Sequence, residues 1–255
     1  MGLHVERVGG EGKPELVMLH GWGMNSSIWS GVVENLASNY SITLIDLPGL
    51  GRSVSYPEPY TSDGVIQMLA DAAPEKASWI GWSMGGQLAI QFADRYPERV
   101  ERLVTIASNP CFVQKPDWRS AMDEETHNAF EISLSENVAK TLSRFAMLQT
   151  QGAEAARDTL KQLKAALKVA EPSAPVESLG LLREDVRSQL SALKMPLLQM
   201  FGEKDLLVPV SAALECDALT SRASIVYPGA GHLPFISHQA ELVSDLTRFL
   251  QEPLA

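Results

Sequence analysis

The chain has 255 residues, of which 45% are hydrophobic and 20% charged, and it carries a net charge of −10. That charge argues against general affinity for nucleic acid or an anionic membrane, since both need basic surface. Length and composition fit one large domain, or a core with an insertion, whose apolar interior needs no disulfide or metal staple.

Short apolar runs alternate with helical periodicity, the mark of a parallel sheet built from strand–helix–strand units. Residues 15–20 (ELVMLH) read as a strand, 27–38 as a helix, and 41–46 (SITLID) as a strand stopped by Pro48-Gly49. A helix over 63–73, a strand over 77–81 (ASWIG), a helix over 85–96 closed by Pro97 and a strand over 100–107 follow. From Cys111 to about Lys194 the strands vanish and helical spacing takes over, notably at 135–148 and 154–169, with a Pro-rich turn at 171–177. Strands return at 196–201 and 224–227, and an amphipathic helix over 240–250 closes the chain. The pattern predicts an α/β fold with a mostly parallel central sheet flanked by helices. Residues 1–110 and 195–255 form its core, and 111–194 an inserted helical cap over the carboxyl edge of the sheet, where ligands bind in such folds.

Cys111 and Cys216 lie far apart without CxxC spacing and read as reduced, structural thiols. The first residues hold no apolar run of the signal-peptide kind, and nothing approaches the ~18 apolar residues of a membrane span. A cytoplasmic monomer is the expectation. No cluster of metal-ligating side chains appears, so neither metal nor cofactor is expected.

Gly81-Trp82-Ser83-Met84-Gly85 matches the G-x-S-x-G pattern. Its place, at the end of one strand and the start of a helix, is that of a nucleophile elbow. A serine hydroxyl needs a base to take its proton. His232, in Gly229-Ala230-Gly231-His232 just past a strand, is the best placed of five histidines; His238 is the rival. His4 and His127 have no supporting context and read as solvated, and the ring of His20 reads as a brace for its loop. Asp205 follows the penultimate strand and completes the order Ser, Asp, His, with Glu203 as an alternative. Asp46 reads as a structural acceptor at its turn. The loop His20-Gly21-Trp22-Gly23 would supply one oxyanion N–H from Trp22, and Met84 the other.

Together HGWG, DLPGLGRS, GWSMGG, FGEKD and GAGHLPFISH make the chain similar to the α/β-hydrolase superfamily. HGWG, GWSMGG, SNPCF at 108–112, RFAMLQT at 144–150 and PFISH at 234–238 more closely resemble the pimeloyl-[acyl-carrier protein] methyl ester esterases of biotin synthesis. That resemblance implies hydrolysis of a terminal methyl ester on a carried acyl chain. It implies substrate contacts at Trp22, Ser83, Met84, Phe145, Ala146, Met147, Leu148, Gln149 and His232. Trp82, Phe145 and Leu148 could wall a methylene chain or simply pack the cap.

Arg157, Lys161, Lys164 and Lys168 recur at helical spacing, and Lys140 and Arg144 are one turn apart on the preceding helix. Six basic residues face three acidic ones over 135–170, inside an acidic protein. By itself this is an ordinary solvated face. The resemblance makes Lys140, Arg144, Arg157 and Lys161 contacts for an acidic acyl carrier protein. A broad short-chain carboxylesterase, another capped serine hydrolase, or a non-catalytic receptor on the same fold are the competing readings.

Overall fold

In the computed structural model, which describes residues 2–253, the strands are β1 (Val5–Val8), β2 (Glu15–Leu19), β3 (Ser41–Ile45), β4 (Ala77–Trp82), β5 (Val100–Ile106), β6 (Leu197–Gly202) and β7 (Ile225–Tyr227). They form one seven-stranded sheet in the order β1-β3-β2-β4-β5-β6-β7. Only β1 runs antiparallel, pairing with β3; the other pairs are parallel. β2 shows why these segments are strands. Val17 and Leu19 enter one apolar layer while Leu16 and Met18 enter the other, so both faces are buried.

The helices, in chain order, are α1 (Ser30–Leu36), α2 (Ser62–Ala72), α3 (Met84–Arg95), α4 (Glu124–Glu136), α5 (Val138–Leu148), α6 (Ala156–Leu167), α7 (Pro175–Leu179), α8 (Arg187–Ala192), α9 (Ser211–Thr220), α10 (Pro234–Ser237) and α11 (Gln239–Gln251). Core residues of α2, α3, α8 and α9 fill the first layer, and those of α1, α10 and α11 the second. Helices α4 to α7 lie between β5 and β6 in the chain. Leu134 and Leu142 join the first layer, while Ala146, Leu163 and Ala166 join the second. This insertion therefore straddles the sheet edge where β2, β4, β6 and β7 end. Among the described residues no helix is long and apolar enough to cross a membrane.

The structure departs from the expected elements in several places, and helices α4, α8 and α10 stand where the sequence pattern predicts none. β1 has only two valines and a half-exposed pattern, too weak a period to see. The helix expected at 135–148 starts at Val138 as α5, with Asn137 capping the Lys140 N–H at 2.9 Å; Ser135 and Glu136 end the preceding helix α4. The expected helix at 27–38 starts as a 3-10 turn, Ser26–Trp29. The 171–177 turn is partly helical, since α7 begins at Pro175, a residue suited to a first helical turn. α9 was not anticipated: its buried positions, Ala212, Ala213 and Cys216, are small and leave little amphipathic contrast.

Two histidines also differ from expectation. His127 is buried, not solvated, because it lies on the inward side of α4. Its ring nitrogens have no hydrogen-bond partner among the described residues. His4 is half-buried, and its backbone N–H donates to Ser53 Oγ at 2.8 Å. The two cysteines are free and buried.

Asp46, just past β3, is fully buried and uses both carboxylate oxygens. Oδ1 accepts from the Ser26 N–H (2.7 Å), and Oδ2 from the Arg52 N–H (2.8 Å) and Nε (3.0 Å). Burial opposes its ionisation, but His20 and the hydrogen bonds from Arg52 and Ser26 prevail and hold its pKa at about 2. Burial in turn lowers the His20 pKa. A carboxyl depressed in the fold stabilises it fully above the unfolded pKa, and that stability is lost as pH falls from about 4 through about 2. Asp46→Asn should therefore lower stability to urea at pH 7 by about 2 kcal/mol. The variant should also flatten the acid limb of the stability profile. An unchanged urea midpoint at pH 7 would contradict the assignment.

Candidate active site

β4 ends at Trp82 and α3 starts at Met84, leaving one residue to turn the chain. Ser83 makes that turn at φ 55°, ψ −121°. For a residue with a Cβ this conformation costs roughly 1–3 kcal/mol, so its surroundings must impose it. They do so through the backbone. The Ser83 N–H donates to the Ile106 carbonyl at 2.9 Å, and the Ser83 carbonyl accepts from Gly86 N–H and Ser108 Oγ at 2.9 and 2.8 Å. Close packing requires the flanking glycines. A Cβ on Gly81 would stand 2.4 Å from the Gly85 carbonyl oxygen, and one on Gly85 would stand 2.5 Å from that of His20.

His232 sits in the loop after β7, and Asp205 in the loop after β6. His232 Nε2 lies 3.0 Å from Ser83 Oγ, and Nδ1 lies 2.7 Å from Asp205 Oδ2. The second oxygen of Asp205 accepts the Leu207 and Val208 N–H groups at 2.8 and 3.0 Å, which fixes the carboxylate plane. With a carboxylate opposite Nδ1, that nitrogen carries the proton, and Nε2 is left to accept from the serine. The pair is almost wholly removed from solvent, with both side chains 1% exposed.

Both backbone ties of His232 come from distant chain segments. Its carbonyl accepts the indole N–H of Trp82 at 2.8 Å, and its N–H donates to the Gln149 carbonyl at 3.2 Å. The Trp82 ring packs against His232 and meets Phe235 edge-on. Trp82 is thus a buried strut between the serine turn and the histidine loop. Its side chain is buried in the second apolar layer and abuts Gly21, where a Cβ would lie 3.1 Å from Trp82 Cε3. Nothing but its place inside the G-x-S-x-G pattern could have hinted at this contact.

The other expected site residues are placed as follows. Gly21 abuts Ser83, since a Cβ there would lie 3.1 Å from that of Ser83. The Trp22 and Met84 N–H groups donate to no protein acceptor among the described residues. The Trp22 indole donates to the Pro175 carbonyl at 3.1 Å, and its ring meets Phe130 and Phe145 edge-on. Phe130 therefore joins Phe145 above the loop, a pairing hidden in the unrecognised helix α4. The His20 ring bridges the Gly21 carbonyl and the Leu47 N–H at 2.8 and 2.9 Å. Ala146 and Gln149 are buried and Leu148 half-buried, whereas Met147 is 46% exposed. The Gln149 amide has no partner among the described residues.

The rivals lie elsewhere. Glu203 is exposed and accepts the Gly229 N–H at 3.0 Å, and His238 Nδ1 contacts Ser237 Oγ at 2.9 Å. Lys140, Arg144, Arg157 and Lys161 are all exposed and, among the described residues, take part in no ion pair. Among the described residues no group of three or more His, Cys, Asp or Glu side chains could hold a metal.

A family model described as alpha/beta hydrolase fold matches residues 14–239. A pimeloyl-[acyl-carrier protein] methyl ester esterase of Edwardsiella ictaluri is 41% identical over 94% of this chain and 94% of its own length. The enzyme of that name from Aliivibrio salmonicida is 40% identical over 95% and 94%. Among solved structures, an esterase from Exiguobacterium antarcticum superposes with a TM-score of 0.85 over 98% of this chain and 96% of its own, at 20% identity. That last likeness is one of fold.

Trp82→Phe keeps an aromatic ring but removes the donor to the His232 carbonyl. Misplacing a catalytic base slightly costs up to ~100-fold, so kcat should fall on the order of tenfold with KM nearly unchanged. Ester turnover kinetics would check this; an unaltered kcat would show that the strut does not position the base.

Proposed function

Since the chain belongs to the pimeloyl-[acyl-carrier protein] methyl ester esterase family of α/β-hydrolases, we propose that it hydrolyses the methyl ester of pimeloyl-acyl carrier protein, releasing methanol. The observation that carries the chemistry is the aligned set Ser83 Oγ, His232 Nε2 and Nδ1, and Asp205 Oδ2, linked at 3.0 and 2.7 Å.

The reaction follows from that set. His232 Nε2 takes the Ser83 proton as Oγ bonds to the ester carbonyl carbon, and the carbonyl electrons move to oxygen. Trp22 and Met84 N–H groups, free of protein acceptors, meet the oxyanion; one such donor is worth roughly 3 kcal/mol. The bond to methoxide breaks, and its oxygen leaves with the proton from His232. Water gives a proton to His232 and attacks the acyl-enzyme, and Ser83 departs with that proton. Asp205 stabilises the imidazolium at each stage and never needs to be protonated.

Selectivity has a physical basis in shape and charge. The substrate carries a thioester at one end and a methyl ester at the other, so a deep serine favours the distal ester. Ser83 is 6% exposed, and the aromatic group of Trp22, Phe130 and Phe145, carried in part by the loop that abuts it, suits a methylene chain. The free cations Lys140, Arg144, Arg157 and Lys161 suit an acidic carrier, steering encounter more than adding affinity. A cytoplasmic location fits a substrate of this kind.

Ser83→Ala should abolish turnover of the carrier-linked methyl ester while leaving the fold intact by circular dichroism. Replacing Lys140, Arg144, Arg157 and Lys161 with glutamate should lower kcat/KM for that ester by on the order of tenfold or more at low salt. The deficit should shrink at higher ionic strength. The free methyl ester should suffer far less. Equal losses on both substrates, or none, would count against carrier recognition at this face.

A further inference from the structure

His232 acts through its ring, but the ring stands where the backbone of its loop puts it. That loop, Gly229-Ala230-Gly231-His232, does little to hold itself. Gly229 sits at φ 77°, and Gly231 has no side chain to pack. Its position must come from the segments on either side.

One of these is the end of β6. The Glu203 N–H donates to the Tyr227 carbonyl at 3.1 Å, which continues the β6–β7 pairing past Gly202. The Lys204 N–H donates to the Ala230 carbonyl at 2.7 Å. Gly202 lets the two backbones touch, since a Cβ there would stand 2.1 Å from the Gly231 carbonyl oxygen. The other is the turn between α5 and α6. Its Glu154 N–H donates to the Gly229 carbonyl at 2.9 Å, and Ala153 lies against Gly231, where an added Cβ would come within 2.9 Å of that of Ala153.

That leaves the Gly229 N–H. Gly229 is buried, so this donor needs an acceptor from the protein itself. Glu203 Oε2 supplies it at 3.0 Å, the only acceptor for this N–H among the described residues. The same oxygen lies 3.5 Å from Lys204 Nζ, but both side chains are exposed and such a pair contributes little. Glu203 stands two residues before Asp205. One short segment therefore holds the histidine at two points. Asp205 takes the ring at Nδ1, and Glu203 takes the loop that carries it.

We propose that Glu203 is a positioning residue for His232, fixing the loop through the Gly229 N–H so that Nε2 stays aligned with Ser83 Oγ. This rests on the serine–histidine chemistry set out above and is independent of which ester is cleaved. Without the acceptor, the buried N–H draws the loop toward water, and the 3.0 Å alignment with Ser83 loosens. Glu203 lies apart from the aromatic group of Trp22, Phe130 and Phe145, so the loss falls on turnover and spares substrate binding.

Three substitutions separate reach from charge. Glu203→Ala removes the acceptor. Glu203→Asp keeps the charge on a side chain one methylene too short. Glu203→Gln keeps an oxygen at full reach without the charge. On a small chromogenic ester, kcat should fall about tenfold in the alanine and aspartate variants with KM within about twofold, since slight misplacement costs up to ~100-fold. Glu203→Gln should recover most of that loss. All three should melt near the unaltered chain, because the side chain is exposed.

An unchanged kcat in Glu203→Ala would overturn the proposal. So would full activity in Glu203→Asp with a loss in Glu203→Gln, which would make charge the cause. Ser83→Ala, assayed beside them, keeps the two readings apart. Turnover abolished there but untouched by Glu203→Ala contradicts the positioning role alone. Turnover that survives Ser83→Ala contradicts the serine chemistry, and the positioning role with it.

Discussion

Ser83 occupies a backbone conformation that the chain does not adopt without support, φ 55° in a residue with a Cβ. Much of the molecule converges on holding it there. β5 takes its N–H, Ser108 and the first turn of α3 take its carbonyl, and two glycines let strand, helix and the His20 loop pack backbone to backbone. In that turn Ser83 Oγ lies 3.0 Å from His232 Nε2. Sheet topology brings the partners to the same place, since Asp205 and His232 follow the ends of β6 and β7, beyond β4 and β5 in the sheet. The turn is thus held by parallel pairing and close packing before any substrate arrives, which is what preorganised catalysis requires.

The histidine is gripped from two directions. Trp82 reaches it from β4, the strand that carries the serine, and the end of α5 reaches it through the Gln149 carbonyl. The helical insertion is therefore part of the active-site framework as well as its roof. Trp22 shows the same coupling, with its backbone in the loop beside Ser83, its indole on Pro175 and its ring against Phe130 and Phe145. A shift of these helices would be felt at His232 and Trp22 together.

Much of this was legible in the linear chain because it rests on local patterns. The runs ELVML, SITLI and ASWIG are mostly apolar since their strands are buried on both sides, and Gly81, Ser83 and Gly85 mark the turn by composition. Ser83, Asp205 and His232 were found from their positions after strands. Contacts between distant segments were not legible. The Trp82–His232 strut spans 150 residues, and the Trp22–Pro175 bond spans 153. Weak periodicity hid β1 and α9, while Asn137 broke a pattern that otherwise reads as one helix. His127 was misjudged because its helix, and hence its inward face, went unrecognised. The basic stripe was visible as spacing, but the tie from Glu203 to Gly229 needed the folded chain.

The account stands or falls on Ser83 forming a covalent bond to the acyl group. Rapid mixing with the methyl ester, acid quenching within one turnover and peptide mass mapping test this directly. The account predicts an acyl adduct approaching one equivalent, confined to the peptide containing Ser83, formed before free acid appears. Steady hydrolysis with no adduct on Ser83, or continued turnover by the Ser83→Ala protein, would contradict it.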